Sequence, residues 1–388
     1  MPNNIKVLYV YPHDVKKVKD KYYHPYLSKI LKGYTYLSDD ITCVLSSRPL
    51  NNLSKIAEET YIGNYPIKLI PRFNRLTKSL NLNNLIIKEE VEKADLVITK
   101  LPSFEGFIAI KYAKELNKKI LVEMVGCPWD SLSNHSFKGK LLAPWMTFLT
   151  KKHIKKADYV QYVSNDFLQK RYPTDSLQIG CSDVNILPVS SDLINKKYKD
   201  FHNKETVILG TSAAVDIKYK GQKEIIKLLP ELNKGNKIFE YHLAGGGDNS
   251  KLKDLASKLG VEDKVKFLGL LDKEDVNKYL EKIDIYIQPS KQEGLSRALV
   301  EAMSRGCFCI ASKVGGNPEL IEEEYLYNVN NPKSIVKIIK ALNQNTITKS
   351  SQRNYEYSKK FEPNILRNKL EEFYNKILKD LGRIDKNY

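Results

Sequence analysis

Short apolar runs alternate with longer amphipathic segments along the first half of the chain. Runs rich in Val, Ile, Leu and Tyr are typical of strands buried on both faces of a parallel sheet. They predict strands over residues 5–11, 41–45, 67–70, 96–98, 120–125 and 159–163. Segments of helical length lie between them, and residues 107–116 carry apolar side chains at helical spacing. This alternation predicts a doubly wound α/β domain.

The same pattern restarts after a polar, charged segment, 192–205, which we interpret as a linker. A second set of strands is predicted over residues 207–209, 239–243, 265–267, 283–287 and 307–311, with helices over 222–232 and 273–282. A last amphipathic helix, 363–381, carries one apolar stripe formed by Leu366, Leu370, Phe373, Ile377 and Leu381. The pattern therefore predicts two α/β domains, 1–195 and 196–362, facing each other across a cleft.

Composition narrows the class of protein. A length of 388 residues suits two domains, and 42% hydrophobic residues exclude a disordered chain. The formal net charge of +17 favours a partner such as nucleic acid, an anionic membrane or a phosphorylated substrate. Five cysteines without C-x-x-C spacing suggest neither a disulfide framework nor a zinc site. The sequence shows no signal peptide and no long apolar run, so we expect a cytoplasmic protein, with a peripheral membrane contact left open.

The segment 283–321 carries the densest chemical information. A strand ends at Gln288, a Pro-Ser turn and Glu293-Gly294 follow, and a helix begins near Ser296. Unpaired N–H groups at such a helix start can hold an anion, and a glycine lets a phosphate approach the backbone closely. Glu293 and Glu301 are expected roughly 10 Å apart. This spacing suits two ends of one extended ligand better than a hydrolytic pair, whose carboxyl groups lie about 5–9.5 Å apart.

Residues 265–321 resemble the signature region of the GT-B, family 4 retaining glycosyltransferases of the group 1 type, as in bacterial surface polysaccharide biosynthesis. The matching pieces are VKFLG (265–269), IDIYIQPS (283–290), EGLSRALVEAMSRG (293–306) and GGNPELI (315–321). The resemblance implies a GT-B fold of two Rossmann-like domains. It further implies that 1–195 binds the acceptor, that 196–362 binds a nucleotide-sugar donor, and that the last helix, 363–388, crosses back onto the first domain.

The family's roles can be carried over by position. Glu293 is expected to bind hydroxyls of the donor sugar, Glu301 to bind the ribose hydroxyls, and Lys220 to neutralise the diphosphate leaving group. Glu293 and Lys220 are thereby candidate catalytic residues. The remaining donor-binding positions are backbone or turn positions, namely Gly210, Thr211, Gly221, Gly245, Gly294, Leu295 and Ser296.

The chain also departs from the family pattern. Thr211-Ser212 stands where members often have an arginine, for which Lys218 or the two hydroxyls could substitute. Residues 11–14 replace the usual glycine-rich turn after the first strand. The histidine that many members carry after the strand 120–125 is missing. Asp130 is our candidate catalytic residue there and Glu123 the alternative, although either could be a helix cap or a structural acid.

Residues 131–157 contain six lysines and no acidic residue. The lysines frame the apolar stretch 141–150, which includes Trp145 and Phe148. This pattern is typical of an interfacial helix on an anionic membrane, or of an ordinary helix with an apolar inner face and lysines outside. Signatures of nucleic-acid-binding domains are lacking, so no nucleic-acid partner is predicted. With no D-x-D, P-loop or Cys/His cluster, no metal site is predicted.

These observations predict a metal-independent, retaining glycosyltransferase. It would move a hexose or N-acetylhexosamine from a nucleoside diphosphate sugar, expected to be a UDP-sugar, to an acceptor hydroxyl. The expected acceptor is a lipid-linked glycan at the inner face of the cell membrane, and no cofactor besides the donor is expected. The alternative is a non-catalytic scaffold that partners another transferase, although Lys220, Glu293 and Glu301 argue against it because a scaffold does not need them.

Overall fold

The computed structural model describes residues 5–24, 26–47, 61–71, 79–189, 192, 194, 197–199 and 201–383. The predicted domain boundary at 195/196 lies outside these residues. Within them, the strands form two separate sheets that are parallel apart from one short strand, which confirms the α/β prediction.

The first sheet is built from residues of the first half of the chain. Its strands lie side by side in the order β4-β3-β1-β5-β6-β7-β8, and the short β2 pairs antiparallel with β1. The strands are β1 (Val7–Val18), β2 (Lys21–Tyr23), β3 (Ile41–Ser47), β4 (Ile67–Ile70), β5 (Leu96–Leu101), β6 (Lys119–Met124), β7 (Tyr159–Tyr162) and β8 (Leu177–Gly180). The helices are α1 (Leu27–Tyr34), α2 (Ser79–Lys93), α3 (Phe104–Glu115), α4 (Pro128–His135), α5 (Phe137–Ile154) and α6 (Phe167–Arg171).

The second sheet follows with the order β11-β10-β9-β12-β13-β14. Its strands are β9 (Thr206–Ser212), β10 (Ile238–Ala244), β11 (Val265–Gly269), β12 (Ile285–Gln288), β13 (Phe308–Ser312) and β14 (Leu326–Tyr327). The helices around it are α7 (Gln222–Ile226), α8 (Leu229–Leu232), α9 (Ser250–Lys258), α10 (Lys273–Lys282), α11 (Arg297–Ser304), α12 (Ser334–Lys340) and α13 (Gln344–Ser358), and the chain continues into α14 (Pro363–Asp380).

The last helix, α14, connects the two cores. Leu366 at its start is buried in the core of the second sheet. Phe373, Tyr374 and Ile377, further along, are buried in the core between α1 and the first sheet. The helix therefore leaves the second sheet and covers one face of the first.

Three local differences from the sequence pattern have physical causes. β1 continues to Val18 instead of ending at Tyr11, because it pairs with β2 and, after a register shift, with β3. The single helix expected over 222–232 is two short helices, and Pro230, which lacks an amide hydrogen, lies in the first turn of the second. Tyr198, inside the predicted linker, is fully buried, accepts a hydrogen bond from the Phe308 amide and donates one to the Asp284 carbonyl.

Candidate functional site

The second sheet reverses its strand order between β9 and β12. In open parallel sheets, ligands bind in the crevice that such a reversal leaves at the carboxyl ends of the strands. Lys220 lies in the turn that follows β9, and Glu293 lies in the loop that follows β12. The topology therefore brings together two residues that are 73 positions apart in the chain.

Lys220 and Glu293 form a direct ion pair. The Lys220 Nζ lies 2.9 Å from Glu293 Oε1, and the two side chains are 22% and 12% exposed. Gln288 Nε2 donates a second hydrogen bond to the same carboxylate oxygen at 3.0 Å. Gln288 is itself held by Tyr286, whose hydroxyl donates to its amide oxygen at 2.8 Å. The carboxylate of Glu293 is thus fixed in position by a chain of buried polar groups.

Two glycines let the backbone segments of this site pack against each other. Gly221 has φ +80°, and a Cβ there would lie 2.0 Å from the Pro289 carbonyl oxygen. Gly315 has φ +55°, and a Cβ there would lie 2.0 Å from the Glu293 carbonyl oxygen. Only glycine tolerates both the left-handed backbone and the close approach. The turn that carries Lys220 and the loop that carries Glu293 are therefore fixed by backbone packing.

Gly294 lies where the two halves of the molecule meet. A Cβ at this position would lie 3.0 Å from the Val125 carbonyl oxygen and 3.2 Å from Val163 Cγ2, both in the first half. Leu295 and Ser296 follow, both buried, and the Ser296 hydroxyl caps α11 by accepting a hydrogen bond from the Leu299 amide at 3.3 Å. The start of α11 therefore faces the carboxyl ends of β6 and β7.

Glu301, on the second turn of α11, lines a cavity of about 460 Å³ between the two halves. Its carboxylate makes no hydrogen bond or ion pair with the described residues. Burial raises the pKa of Glu301, while the positive charges of Arg297 and Lys273 act in the opposite direction. Both cationic residues line the same cavity. Glu301 is thus a mostly buried acid with an unused hydrogen-bonding capacity.

The opposite wall of this cavity belongs to the first half and includes Tyr34, Lys100, Glu123 and Gln161. Lys100 Nζ lies 2.6 Å from Glu123 Oε2, and the hydroxyl of Tyr34 donates to Glu123 Oε1. Burial and the charge of Glu123 raise the pKa of Tyr34, so its hydroxyl stays protonated. Lys100 and Gln161 were not predicted as site residues from the sequence. The sequence did contain a signal for them, because each is a polar residue inside a mostly apolar strand, β5 or β7.

Three predicted donor-binding positions have other roles in the structure. Gly210 lies inside β9, where Ile283 and the Tyr279 hydroxyl occupy the space that a Cβ would need. Thr211 is fully buried, and its hydroxyl donates to the Ile287 carbonyl and accepts from Tyr241, both at 2.7 Å. Gly245 packs on the Ala213 carbonyl. The hydroxyl of Thr211 is therefore committed to the core, and a contact between the donor and the backbone at Thr211 stays a prediction.

Asp130 and Lys218 each have surroundings other than the Lys220–Glu293 contact. Asp130 accepts two hydrogen bonds from Arg171, at 2.9 and 3.0 Å, and does not line the 460 Å³ cavity. Its carboxylate is thus engaged in an ion pair, and the catalytic role of Asp130 stays a prediction. Lys218 lines a different pocket, beside α7 and α9. Its side chain therefore does not replace the arginine that the family pattern places at this site.

The segment that replaces the glycine-rich turn forms an aromatic cluster. His13 accepts or donates a hydrogen bond with the Tyr9 hydroxyl at 3.1 Å, and its ring lies 4.6 Å from the rings of Tyr11 and His24. Burial, with the nearby His24 and Lys100, lowers the pKa of His13 to about 3. His13 is therefore a neutral imidazole at physiological pH.

The helix α5 exposes an apolar face. Phe137, Leu141, Trp145 and Phe148 are 77%, 69%, 43% and 62% exposed, and their spacing places them along one side of the helix. All six lysines between residues 131 and 157 are exposed as well. The helix therefore has a buried apolar side, formed by Ala143, Met146 and Ile154, and exposes apolar side chains as well as lysines. Among the described helices, none is long and apolar enough to cross a membrane.

Comparison with known proteins identifies the family. Residues 194–361 match the model of the glycosyl transferases group 1. The chain is 33% identical to Protein CapJ of Staphylococcus aureus over 382 residues, which covers 94% of this chain and 90% of CapJ. The chain belongs to the group 1 glycosyltransferases. Membership in this family of enzymes disfavours the scaffold alternative, and the two facing sheets conform to the GT-B fold.

Two more distant proteins are also similar to this chain, one in the sequence of about half of the chain and one in the fold. An O-antigen biosynthesis glycosyltransferase, WclY of Escherichia coli, is 26% identical over 194 residues, which covers 49% of this chain and 53% of WclY. The crystal structure of Anabaena Alr3699/HepE in complex with UDP-glucose superposes with a TM-score of 0.65 at 16% identity, covering 97% of this chain and all of HepE. The second similarity establishes the fold of this group 1 glycosyltransferase over nearly its whole length.

Proposed function

We propose that this glycosyltransferase moves a hexose or N-acetylhexosamine from a UDP-sugar to an acceptor hydroxyl, with retention of the anomeric configuration and without a metal ion. The contact between Lys220 and Glu293 at the strand reversal of the second sheet carries the proposal. HepE, which shares the fold, has been crystallised with UDP-glucose. The relatives named above make a surface polysaccharide the product class that fits best.

In this proposal the two residues act on opposite ends of the bond that breaks. The ammonium group of Lys220 and the N–H groups at the start of α11 stabilise the negative charge of the departing diphosphate. Glu293 accepts hydrogen bonds from hydroxyls of the donor sugar. Its carboxylate is already held by Lys220 and Gln288, which suits a binding role better than nucleophilic attack. The acceptor then enters on the face that the diphosphate leaves, as the family resemblance implies.

A matched pair of lysine variants tests this assignment. Lys220→Met should lower kcat by about 10²- to 10³-fold, because removal of one group that stabilises developing charge has an effect of that size. Lys218→Met, two residues away on the exposed side of the same turn, should change kcat by less than about twofold. The assay is release of the nucleoside diphosphate from UDP-, GDP- and ADP-sugars, followed by NMR of the product anomer. Turnover of no donor, an inverted product or equal effects of both variants would contradict the proposal.

We further propose that the acceptor is a lipid-linked glycan and that the enzyme binds the inner face of the cell membrane from the cytoplasm. The exposed apolar face of α5 supports this proposal. Burying one large apolar side chain in a lipid interface is favourable by about 1.5–3 kcal/mol. A lysine near an anionic surface adds about 1 kcal/mol. Four apolar side chains flanked by six lysines therefore suit both the apolar interior and the negative surface charge of an anionic membrane.

Liposome flotation tests the membrane contact. Wild-type protein should float with vesicles containing anionic phosphatidylglycerol and bind much less to pure phosphatidylcholine. The double variant Phe137→Ser/Leu141→Ser should stay at the bottom of the gradient. The control Leu82→Ser/Leu85→Ser removes two exposed leucines from α2 and should float like wild type. Failure of the wild type to bind either vesicle would refute the membrane contact and leave the sugar transfer itself unaffected.

A further inference from the structure

A row of polar side chains crosses the first sheet where its apolar core ends. Lys100 of β5 pairs in register with Glu123 of β6, and Glu123 pairs with Gln161 of β7. Residues in register on neighbouring strands share one face of a sheet. Two positions earlier, the same face carries Ile98, Leu121 and Tyr159, which are buried beneath α1 and α14. The change from apolar to polar therefore occurs in one step on three adjacent strands.

This polar row lies beside the strand reversal of the first sheet, which falls between β1 and β5. Such a reversal marks the ligand-binding crevice of an open parallel sheet. Val125, which approaches Gly294 closely, comes two residues after Glu123, or roughly 7 Å further in the strand direction. The row thus lies near the loop that carries Glu293, on the opposite wall of the cavity that Glu301 lines.

The members of the row differ in how their polar atoms are used. The Lys100 and Glu123 side chains are 13% and 9% exposed and pair with each other, so their positions are fixed. Gln161 is 9% exposed and lines the cavity, but its buried amide oxygen accepts no hydrogen bond from any described residue. Burying a carbonyl oxygen without a partner is unfavourable, so a structural role alone does not account for a glutamine here. A ligand with hydroxyl groups would supply the missing donor.

We propose that this row binds the terminal sugar of the acceptor. Gln161 and Glu123 accept hydrogen bonds from the sugar hydroxyls, and Lys100 donates to a sugar oxygen. The inference rests on the proposed function, since it names the acceptor side of the same cleft. It assigns these residues to binding and orientation, because none of them is in the Lys220–Glu293 cluster.

Soluble octyl glycosides of glucose, galactose and N-acetylglucosamine serve as probes for the acceptor. Gln161→Leu should raise the acceptor KM by about five- to tenfold, the effect of one lost hydrogen bond to a hydroxyl. The affinity for UDP and the slow hydrolysis of the UDP-sugar in the absence of acceptor should stay unchanged. The melting temperature should stay the same or rise, because leucine removes a buried unpaired oxygen. Gln178→Leu, on the exposed strand β8, is the matched control and should leave the acceptor KM unchanged.

Saturation-transfer NMR of the glycosides separates this inference from the proposed function, because it needs no donor. Signals that appear with wild type and weaken in Gln161→Leu support the row even if no nucleotide sugar is turned over. Three results would overturn the inference. In the first, Gln161→Leu changes neither the acceptor KM nor the NMR signal. In the second, it weakens UDP binding as much as acceptor binding. In the third, it lowers the melting temperature, as loss of a purely structural glutamine would.

Discussion

Glu301 offers the sharpest test of how this enzyme recognises its donor. The carboxylate is mostly buried and interacts electrostatically with Arg297 and Lys273. It makes no hydrogen bond with the described residues. A buried carboxylate without hydrogen bonds is unfavourable in the free protein and becomes favourable when ligand hydroxyls supply donors. We therefore expect Glu301→Gln to weaken nucleotide binding and to stabilise the protein without nucleotide.

The magnitude follows from the contacts that the carboxylate can make. A hydrogen bond to a charged group contributes about 1.5–3 kcal/mol. Glutamine keeps a neutral acceptor, so Glu301→Gln loses about half of this energy, and the dissociation constant of UDP should rise roughly 3- to 13-fold. The pH dependence has a definite sign. Since folding raises the pKa of Glu301, ionisation destabilises the folded protein as pH rises through that pKa. The stabilising effect of Glu301→Gln should be present at pH 8 and vanish well below pH 4.5, the ordinary value for this carboxyl.

Isothermal titration calorimetry with UDP and thermal unfolding from about pH 3 to pH 8 measure both effects. Glu262→Gln, an exposed glutamate of the same half, is the control and should change neither quantity. A change of less than threefold in the dissociation constant, together with a melting temperature that falls, would refute the reasoning. Glu301 would then be a structural acid.

Three further substitutions test other parts of the site. Thr211→Val should destabilise the protein by about 1–3 kcal/mol in thermal unfolding, because the Ile287 carbonyl loses its donor, while kcat below the transition stays within about twofold. Gly315→Ala should lower the rate of sugar transfer at least about tenfold, because its Cβ would overlap the Glu293 carbonyl. The control Gly382→Ala also has positive φ but no atom within 4 Å of the added Cβ, and it should not lower the rate. Asp130→Asn should leave kcat within about twofold, because Arg171 already occupies this carboxylate. A hundredfold loss in Asp130→Asn would support the catalytic role that the sequence predicts for Asp130.

Local sequence patterns predicted most strands of this fold well, because a strand with an apolar run is recognisable from its own residues. The strands β4, β6 and β13 fall within a residue or two of the apolar runs that predicted them. The short strands β2, β8 and β14 were missed. β8 is mostly exposed and lacks an apolar run, whereas β14 has only two residues, too few to form a pattern. Such strands are defined by their pairing partners, which sequence neighbours do not reveal.

Positions within the site were harder to predict than the site itself. The motif around Glu293 and the turn at Lys220 lie together as expected. Thr211 was assigned to the donor from its place in the chain, but its hydroxyl faces the interior of the sheet and bonds to Ile287. Gln161 was overlooked because it occupies one position of an apolar strand, and its environment depends on β6 and on the opposite half. Burial and direction are three-dimensional properties that spacing alone does not determine.

The path of α14 imposes an order on how the chain can fold during synthesis. The first sheet is complete at Gly180, yet Phe373, Tyr374 and Ile377, which cover one of its faces, lie about 200 residues later. A ribosome adding about 5–20 residues per second needs roughly 10–40 s to reach them. Throughout that interval the first half presents an uncovered apolar surface. We therefore expect any product terminated before residue 363 to expose this apolar surface and to aggregate.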